Sequence, residues 1–522
     1  MGFRIGALIA VFSVAFAALG INVYKLQIKE GDYYGARAAS LSPENILPPR
    51  GIIYLADKNG NYLPAAMNRD YPLIYSDNRK IDDVKETATA LSLITGISAE
   101  DLGEKLKDSS DPFEPILKRV NEDQLSALSL QELKGISVAY ETYRFYPFGT
   151  SASHLLGFVS IDNENPGGAY GVEARYNETL TGDNIRLTVD KDIQAQAEAV
   201  LGGLIQKFSA EGGTVIVQDP KTGAILALAS APGFNPNKYG EYPLKNFLNP
   251  AVQSVYEPGS AFKVITMAAG IDSGKITPET AFVDTGELTL NGRTIKNWDN
   301  KAHDRVTMIE VLGKSLNTGT AFAERTMGHE IFYEYLTKFR FNKETGIDLP
   351  GEVAGSIRNL ESNTRDINFA TASFGQGISV TPISLITAVS AIANKGVMMK
   401  PYVNTDLKPE RVERVISLQT SLKVADMMVK AVDGAQVAKI SGYTVAGKTG
   451  TAQIPGKGGY SDDVINSFVG FAPAYDPRFT ILIKLDKPAG APLAGLSVVP
   501  AFRDLAQFIL NYYNVPPDRI DN

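Results

Sequence analysis

Residues 256–267 read Tyr-Glu-Pro-Gly-Ser-Ala-Phe-Lys-Val-Ile-Thr-Met, and this stretch determines how the rest of the sequence is interpreted. Pro and Gly before the serine favour a turn, whereas the apolar residues after Lys263 favour a helix. Side chains three positions apart lie on the same face of a helix. The sequence therefore predicts that Ser260 begins a helix and that Lys263 lies beside it, one turn later.

Two further motifs follow the serine along the chain, Ser315-Leu-Asn317 and Lys448-Thr-Gly450. A serine hydroxyl becomes a nucleophile when a neighbouring group accepts its proton. No histidine is close to Ser260 in sequence, so Lys263 is the candidate base. Lys263 can act near neutral pH only if its pKa lies far below the usual value, and we expect burial and the charge of Lys448 to lower it.

The same short patterns also occur elsewhere, as Ser76-Asp77-Asn78 and Lys221-Thr222-Gly223. The first lies in a polar, loop-like cluster and the second in the turn of a predicted hairpin, so we exclude both as catalytic. Ser-x-x-Lys by itself is a weak signal, because a helix-capping serine followed by a surface lysine gives the same pattern. The order of the three motifs carries the catalytic interpretation.

Composition argues against several classes of function. The chain has 522 residues, a net charge of −7 and an isoelectric point of about 5.3, whereas a nucleic-acid-binding domain is usually basic. It has no cysteine, which excludes disulfide bonds and thiolate metal sites. Its three histidines, His154, His303 and His329, are far apart in sequence. We therefore expect no metal and no cofactor.

The N-terminus predicts a membrane anchor. Ile5 to Val23 carry no charge, and roughly 20 apolar residues span a bilayer as a helix. Arg4 precedes this segment, which favours a cytoplasmic N-terminus and an extracytoplasmic remainder. The alternative is a cleaved signal peptide, because Ala15-Phe16-Ala17 has the small-x-small pattern of a cleavage site. We expect a single uncleaved span over residues 1–23.

The remainder divides by pattern into two regions. Residues 24–185 form a mixed region with a helical insert at about 81–133, and residues 186–522 form the region that contains the three motifs. In the second region, strand-like segments lie near both sequence ends, around a mostly helical middle at residues 260–394. This arrangement predicts an α+β fold.

The motifs resemble those of the class B penicillin-binding proteins, the monofunctional peptidoglycan D,D-transpeptidases. Gly375-Gln-Gly377 is similar to a family segment between the second and third motifs, and Ser467-Phe-Val-Gly470 to the family's strand after Lys-Thr-Gly. Arg50-Gly51 and Gly171-Val-Glu173 are similar to motifs of its N-terminal pedestal. The resemblance implies a penicillin-binding, serine β-lactamase-like domain with a five-stranded antiparallel sheet. A dimerisation-type pedestal at 24–185 and one transmembrane helix would precede it.

The resemblance also implies a role for each motif residue. Ser260 would attack the carbonyl of the penultimate D-Ala of a stem peptide, and Lys263 would take its proton. Ser315 would pass a proton to the leaving amine, Asn317 would orient Lys263 and the substrate amide, and Lys448 would supply positive charge.

The resemblance implies that the third motif binds the substrate. The Thr449 and Thr451 hydroxyls would hold the terminal carboxylate, with Gly450 between them. The backbone N–H groups of Ser260 and Thr451 would form an oxyanion hole. β-Lactams would acylate Ser260 as substrate mimics.

Several alternatives stay open within this resemblance. Glu-Pro-Gly-Ser, Ser-Leu-Asn and Lys-Thr-Gly-Thr are more typical of septal, cell-division enzymes than of elongation enzymes that determine cell shape. A serine β-lactamase or sensor, a D,D-carboxypeptidase and a non-catalytic division scaffold are the other candidates. A septal enzyme would work in the inner membrane, with its catalytic domain periplasmic, beside a membrane glycosyltransferase and other division or elongation proteins.

Overall fold

The computed structural model describes residues 2–40, 50–160, 167–361, 365–456 and 459–519. Met1 of the predicted anchor and the last three residues of the predicted catalytic region lie outside them. The helices are α1 (Gly2–Tyr24), α2 (Gly31–Ser40), α3 (Val84–Thr95), α4 (Ala99–Lys105), α5 (Glu122–Ser129), α6 (Ser153–Leu156), α7 (Gly171–Arg175), α8 (Lys191–Phe208), α9 (Pro250–Gln253), α10 (Lys263–Asp272), α11 (Met308–Lys314), α12 (Asn317–Met327), α13 (His329–Lys338), α14 (Asp366–Ala372), α15 (Pro382–Ala393), α16 (Leu418–Ala435) and α17 (Val498–Tyr512). The strands are β1 (Ile53–Ala56), β2 (Tyr62–Ser76), β3 (Glu114–Leu117), β4 (Ile136–Phe145), β5 (Phe158–Ser160), β6 (Gly167–Ala169), β7 (Ile185–Asp190), β8 (Gly212–Gln218), β9 (Ile225–Ala231), β10 (Ala281–Asp284), β11 (Glu287–Leu290), β12 (Arg293–Lys296), β13 (Asp304–Thr307), β14 (Val397–Met399), β15 (Arg411–Arg414), β16 (Ala446–Gly456), β17 (Gly459–Ala472) and β18 (Phe479–Asp486).

These elements divide between two compact units. The first unit comprises the described residues within Met1–Arg50, Met67–Phe145 and Ser160–Gly167. The second comprises the described residues within Gly51–Ala66, Tyr146–Val159 and Gly168–Asn522.

The first unit contains the apolar N-terminal helix. Among the described residues, the helical run Arg4–Lys29 has the length and composition to cross a membrane, with a mean hydropathy of 2.2. None of that apolar segment is buried against other parts of the chain. The sequence-based expectation of an apolar spanning helix is thus met by length and composition.

The helical insert of the first unit has its own small core. Asp83 caps the N-terminus of α3, since its side chain accepts a hydrogen bond from the Glu86 backbone, and Asn121 caps α5 with a capping box. Leu91 of α3 and Leu102 of α4 are fully buried in this core. β3 lies between α4 and α5 and pairs with β2, which also pairs with β4.

The second unit is built on an antiparallel sheet with strand order β16-β17-β18-β8-β9. Alternate residues of its central strands face opposite sides, so Val215 and Val217 contribute to one apolar core and Ile216 to another. α8 and α17 contribute to the core of Val215, and α10 and α15 to that of Ile216. The predicted fold of five antiparallel strands with helices is confirmed.

The middle of this unit differs from the mostly helical pattern that we expected. β10 pairs with β13, and β11 pairs with β12 around Asn291-Gly292. Both turn residues have positive φ, +49° at Asn291 and +77° at Gly292, as a tight hairpin turn requires. The Asn-Gly pair was therefore a signal for a hairpin, which the expectation of a helical middle did not include.

We predict that α17 stabilises the sheet through Phe502, which is fully buried and lies 4.5 Å from the Phe468 ring, centre to centre. Phe502→Ala should lower the free energy of unfolding by about 3–5 kcal/mol, because it leaves a cavity. Denaturant titration of the chain measures this loss. The matched control is Arg503→Ala, an exposed neighbour on the same helix. Equal stability of the two variants would contradict the prediction.

Candidate active site

Ser260 lies at the start of a helical run, as the motif predicts. Gly259–Phe262 form a 3₁₀ turn that continues directly into α10. α10 is buried from Lys263 to Ile271, so its apolar residues fix the turn against the core. Gly259 has φ +54°, and its neighbour on β16 is the Thr451 carbonyl, which would lie 2.9 Å from an added Cβ. The serine is thus held beside the third motif.

The amine of Lys263 is completely buried and makes three hydrogen bonds to the second motif. Its Nζ donates to the Ser315 carbonyl at 2.6 Å, to the Ser315 hydroxyl at 3.3 Å and to Asn317 Oδ1 at 2.8 Å. The first and second motifs are therefore joined at this amine. A hydrogen bond between Lys263 and the Ser260 hydroxyl is not among those formed by the described residues. Such contacts often form only when a substrate binds.

Ser315 joins two helices in an unusual backbone conformation. It follows α11 and precedes α12, and its φ of +58° is uncommon for a residue with a side chain. This conformation directs both its carbonyl and its hydroxyl to Lys263.

Asn317 is fixed by the β11–β12 hairpin. Its Nδ2 donates to the Lys296 carbonyl of β12 at 2.9 Å, which leaves its Oδ1 for Lys263. The hairpin is held in turn by a buried network in which Thr318 Oγ1 donates to Asp284 Oδ1 at 2.8 Å and Asn297 Nδ2 to Asp284 Oδ2 at 2.8 Å. Lys296, Asn297 and Asp284 therefore support the site, although no recognised motif contains them.

Lys448 completes the cluster from β16. It is 3% exposed, and its Nζ donates to the Ser315 hydroxyl at 3.0 Å and to the Thr449 hydroxyl at 3.1 Å. The Ser315 hydroxyl consequently lies between the two lysine amines, within reach of a proton from either.

The two lysines have lowered pKa values. Burial, and secondarily the charge of Lys448, hold the pKa of Lys263 well below its ordinary value. Burial lowers the pKa of Lys448 to about 7. The lowered pKa of Lys263 favours its neutral form, which is the form that can accept a proton.

The rest of the third motif lines the same strand. Thr449 Oγ1 accepts from Lys448 Nζ, and Thr451 Oγ1 accepts from the Ala494 backbone at 3.3 Å, so each hydroxyl keeps its proton to donate. Ser467 and Pro258 pack directly against Gly450. A Cβ added at this position would lie 2.3 Å from Ser467 Oγ and 2.9 Å from the Pro258 carbonyl. The motif therefore needs a glycine so that β16 can lie against the turn that carries Ser260.

The two repeated patterns that we excluded do not join this cluster. Ser76 Oγ and Asn78 Oδ1 are hydrogen-bonded to each other at 2.7 Å in the first unit. Lys221 lies in the turn between β8 and β9 and pairs with Asp476 at 2.6 Å. In the parts of the chain that the structure describes, no group of three His, Asp or Glu side chains is arranged to hold a metal ion.

Sequence comparisons identify the family. Residues 213–507 match the penicillin binding protein transpeptidase domain, and residues 45–202 match the penicillin-binding protein dimerisation domain. The chain belongs to the penicillin-binding protein transpeptidase family.

Named relatives cover most of this penicillin-binding protein. Stage V sporulation protein D of Bacillus subtilis (strain 168) is 33% identical over 491 aligned residues, which cover 85% of this chain and 75% of the relative. Peptidoglycan D,D-transpeptidase FtsI of Escherichia coli (strain K12) is 28% identical over 532 residues, which cover 94% and 88%. A crystal structure of a peptidoglycan synthetase from Bifidobacterium adolescentis matches with a TM-score of 0.69 and 26% identity, covering 91% of this chain and 97% of that one.

We predict that the charge of Lys448 sets the lower pH limit of acylation by a fluorescent penicillin. The rate should rise with pH as Lys263 loses its proton, at a pH well below 10, and should fall at higher pH as Lys448, whose pKa is lowered to about 7, loses its charge. In Lys448→Gln the repulsion that lowers the pKa of Lys263 is gone, so the rising limb should move to higher pH. Stopped-flow acylation between pH 5 and 10 measures its position.

The control for this pH profile is Lys107→Gln, an exposed lysine of the first unit. It should leave the rising limb in place. A limb that stays in place or moves to lower pH in Lys448→Gln would show that the two amines are not coupled in this way.

We predict that Gly450→Ala slows acylation by roughly 100-fold, because a displacement of about 1 Å between reacting groups costs that much. The added Cβ would force β16 away from Pro258 and Ser467. Gly456→Ala on the same strand is the control, since the nearest atom to its Cβ would be 3.8 Å away. Similar acylation rates in both variants would contradict the close packing at Gly450.

Proposed function

We propose that this chain is a peptidoglycan D,D-transpeptidase that acts through an acyl-enzyme at Ser260. The observation that carries the proposal is the buried Lys263 amine, with its lowered pKa, bonded to Ser315 and Asn317 one helical turn from the serine. Such an amine can be neutral at physiological pH and can accept the serine proton. The printed names of the relatives support the same activity.

In the first half-reaction, Ser260 Oγ bonds to the carbonyl carbon of the penultimate D-Ala while Lys263 takes its proton. The bond from that carbon to the nitrogen of the terminal D-Ala then breaks. The proton passes from Lys263 to the Ser315 hydroxyl, 3.3 Å away, and the hydroxyl passes a proton on to the leaving amine. Lys448 keeps the potential at Ser315 positive as charge develops.

In the second half-reaction, the amine of another stem peptide attacks the ester carbon. The new carbon–nitrogen bond forms the cross-link, the bond to Ser260 Oγ breaks, and the proton of the amine returns to Ser260. The backbone N–H groups of Ser260 and Thr451 stabilise the oxyanion in both halves. The hydroxyls of Thr449 and Thr451, on either side of Gly450, donate to the terminal carboxylate.

The proposal extends to cellular context. Within the family we favour the septal, cell-division type, on the sequence of the three motifs and on the relatives' names FtsI and stage V sporulation protein D. Residues 1–23 anchor the chain in the inner membrane, residues 24–185 form the pedestal, and residues 186–522 form the periplasmic transpeptidase region. The apolar helix supports the anchor. A membrane glycosyltransferase supplies the glycan strands that this enzyme cross-links.

Intact-mass analysis after benzylpenicillin tests the activity. We predict that the wild-type chain keeps one covalent adduct for many minutes, because water is a poor acceptor in a site built for an amine, and that Ser260→Ala gains none. Rapid loss of the adduct with hydrolysis of the antibiotic would instead identify a β-lactamase. No adduct on the folded wild type would favour a non-catalytic scaffold.

A further inference from the structure

Glu257 lies three residues before the nucleophile and has no role in the acyl transfer described above. Its side chain is half-buried, and each of its carboxylate oxygens accepts one hydrogen bond. Oε1 accepts from the Gly377 backbone N–H at 3.0 Å, and Oε2 accepts from the Tyr460 hydroxyl at 3.0 Å. Gly377 follows α14, whereas Tyr460 lies at the start of β17. One carboxylate therefore connects two separate segments to the turn that carries Ser260.

The connection to the 375–377 segment is reinforced by the backbone. Tyr256 and Val380 exchange two hydrogen bonds of 3.0 Å and 2.9 Å, and the Gly259 N–H donates to the Gly375 carbonyl at 3.1 Å. An added Cβ on Gly375 would lie 2.3 Å from the Gly259 carbonyl, so the two chains are in close contact. The nucleophile turn and residues 375–380 therefore form one rigid support.

The connection to the β16–β17 hairpin is of a different kind. Near the motif, Gly450 and Thr451 of β16 lie against Pro258 and Gly259. Farther along the hairpin, the Tyr460 hydroxyl donates to Glu257 from the returning strand, and Tyr460 as a whole is 45% exposed. This hydrogen bond thus attaches the outer part of the hairpin to the rigid support, beyond the contact at Gly450.

We propose that Glu257 is a positioning residue that fixes the β16–β17 hairpin relative to Ser260 through Tyr460. This inference rests on the proposed function, because the hairpin carries Thr451 and the turn carries Ser260, the two N–H donors of the proposed oxyanion hole. Donors that stabilise a developing charge must be in place before the charge forms. Release of the hairpin moves one donor relative to the other and weakens the transition state more than the initial complex.

The test is a set of substitutions in the full-length chain, with fluorescent penicillin as the probe. Glu257→Ala removes both hydrogen bonds and should slow the first-order acylation step roughly 10-fold, with little change in the dissociation constant of the initial complex. Tyr460→Phe removes only the bond to the hairpin and should give most of that loss. Glu257→Gln should restore the rate, because its amide can accept from Gly377 and donate to the Tyr460 oxygen without a charge.

A double substitution separates this positioning role from general destabilisation. If Glu257 acts on the hairpin through Tyr460, adding Tyr460→Phe to Glu257→Ala should cause no further loss. Tyr475→Phe is the matched control, since Tyr475 is also exposed and its hydroxyl also donates to a carboxylate, that of Asp426 at 3.3 Å. It should acylate at the wild-type rate.

The outcomes test the positioning role of Glu257 separately from the proposed transpeptidase activity. Wild-type rates in folded Glu257→Ala and Tyr460→Phe would overturn the positioning role while leaving the transpeptidase proposal intact. A failure of Glu257→Gln to restore the rate would show that charge matters and would also overturn it. Absence of an adduct on the wild type would refute the proposed function itself. If Glu257→Ala does not fold, Tyr460→Phe, which loses a single hydroxyl, gives the answer.

Discussion

The burial of the Lys263 amine is the constraint on which the rest of the site depends. A lysine placed where water cannot reach it loses much of the free energy that favours its charged form, so its pKa is lowered. The same burial would be strongly unfavourable if the amine had no hydrogen-bond acceptors. Ser315 and Asn317 provide three acceptors, and the Lys296 carbonyl of β12 holds the Asn317 amide in place.

Lys448 adds a second amine to this cluster. Its amine and that of Lys263 both donate to the hydroxyl of Ser315, so a single hydroxyl lies between two amines of lowered pKa. The mutual repulsion of the amines favours a state with one proton rather than two. Lys448 on β16 therefore lowers the pKa of Lys263 on α10 by its charge, and both amines donate to the same Ser315 hydroxyl.

Much of this site was predictable because its chemistry requires particular residue types at helical spacing or in glycine-containing strands. Ser260, Lys263 and the order of the motifs were identified in this way, and so was the turn between β8 and β9. The β11–β12 hairpin was missed, although Asn291-Gly292 is a hairpin signal, because the surrounding residues were interpreted as helical. The contact of Asn317 with the Lys296 carbonyl had no signal at all, since any residue has a backbone carbonyl.

The sequence by itself predicted the candidate nucleophile and base, the partner motifs, the apolar helix and the class of fold, because each depends on local spacing and residue chemistry. Only the tertiary structure decided the burial of the site residues and the contacts between distant parts of the sequence. The pKa of Lys263 depends on burial and on Lys448, which is remote in sequence. The link from Glu257 to Tyr460 likewise joins residues on separate elements. Such contacts depend on how the sheet and helices pack, and no local pattern encodes that packing.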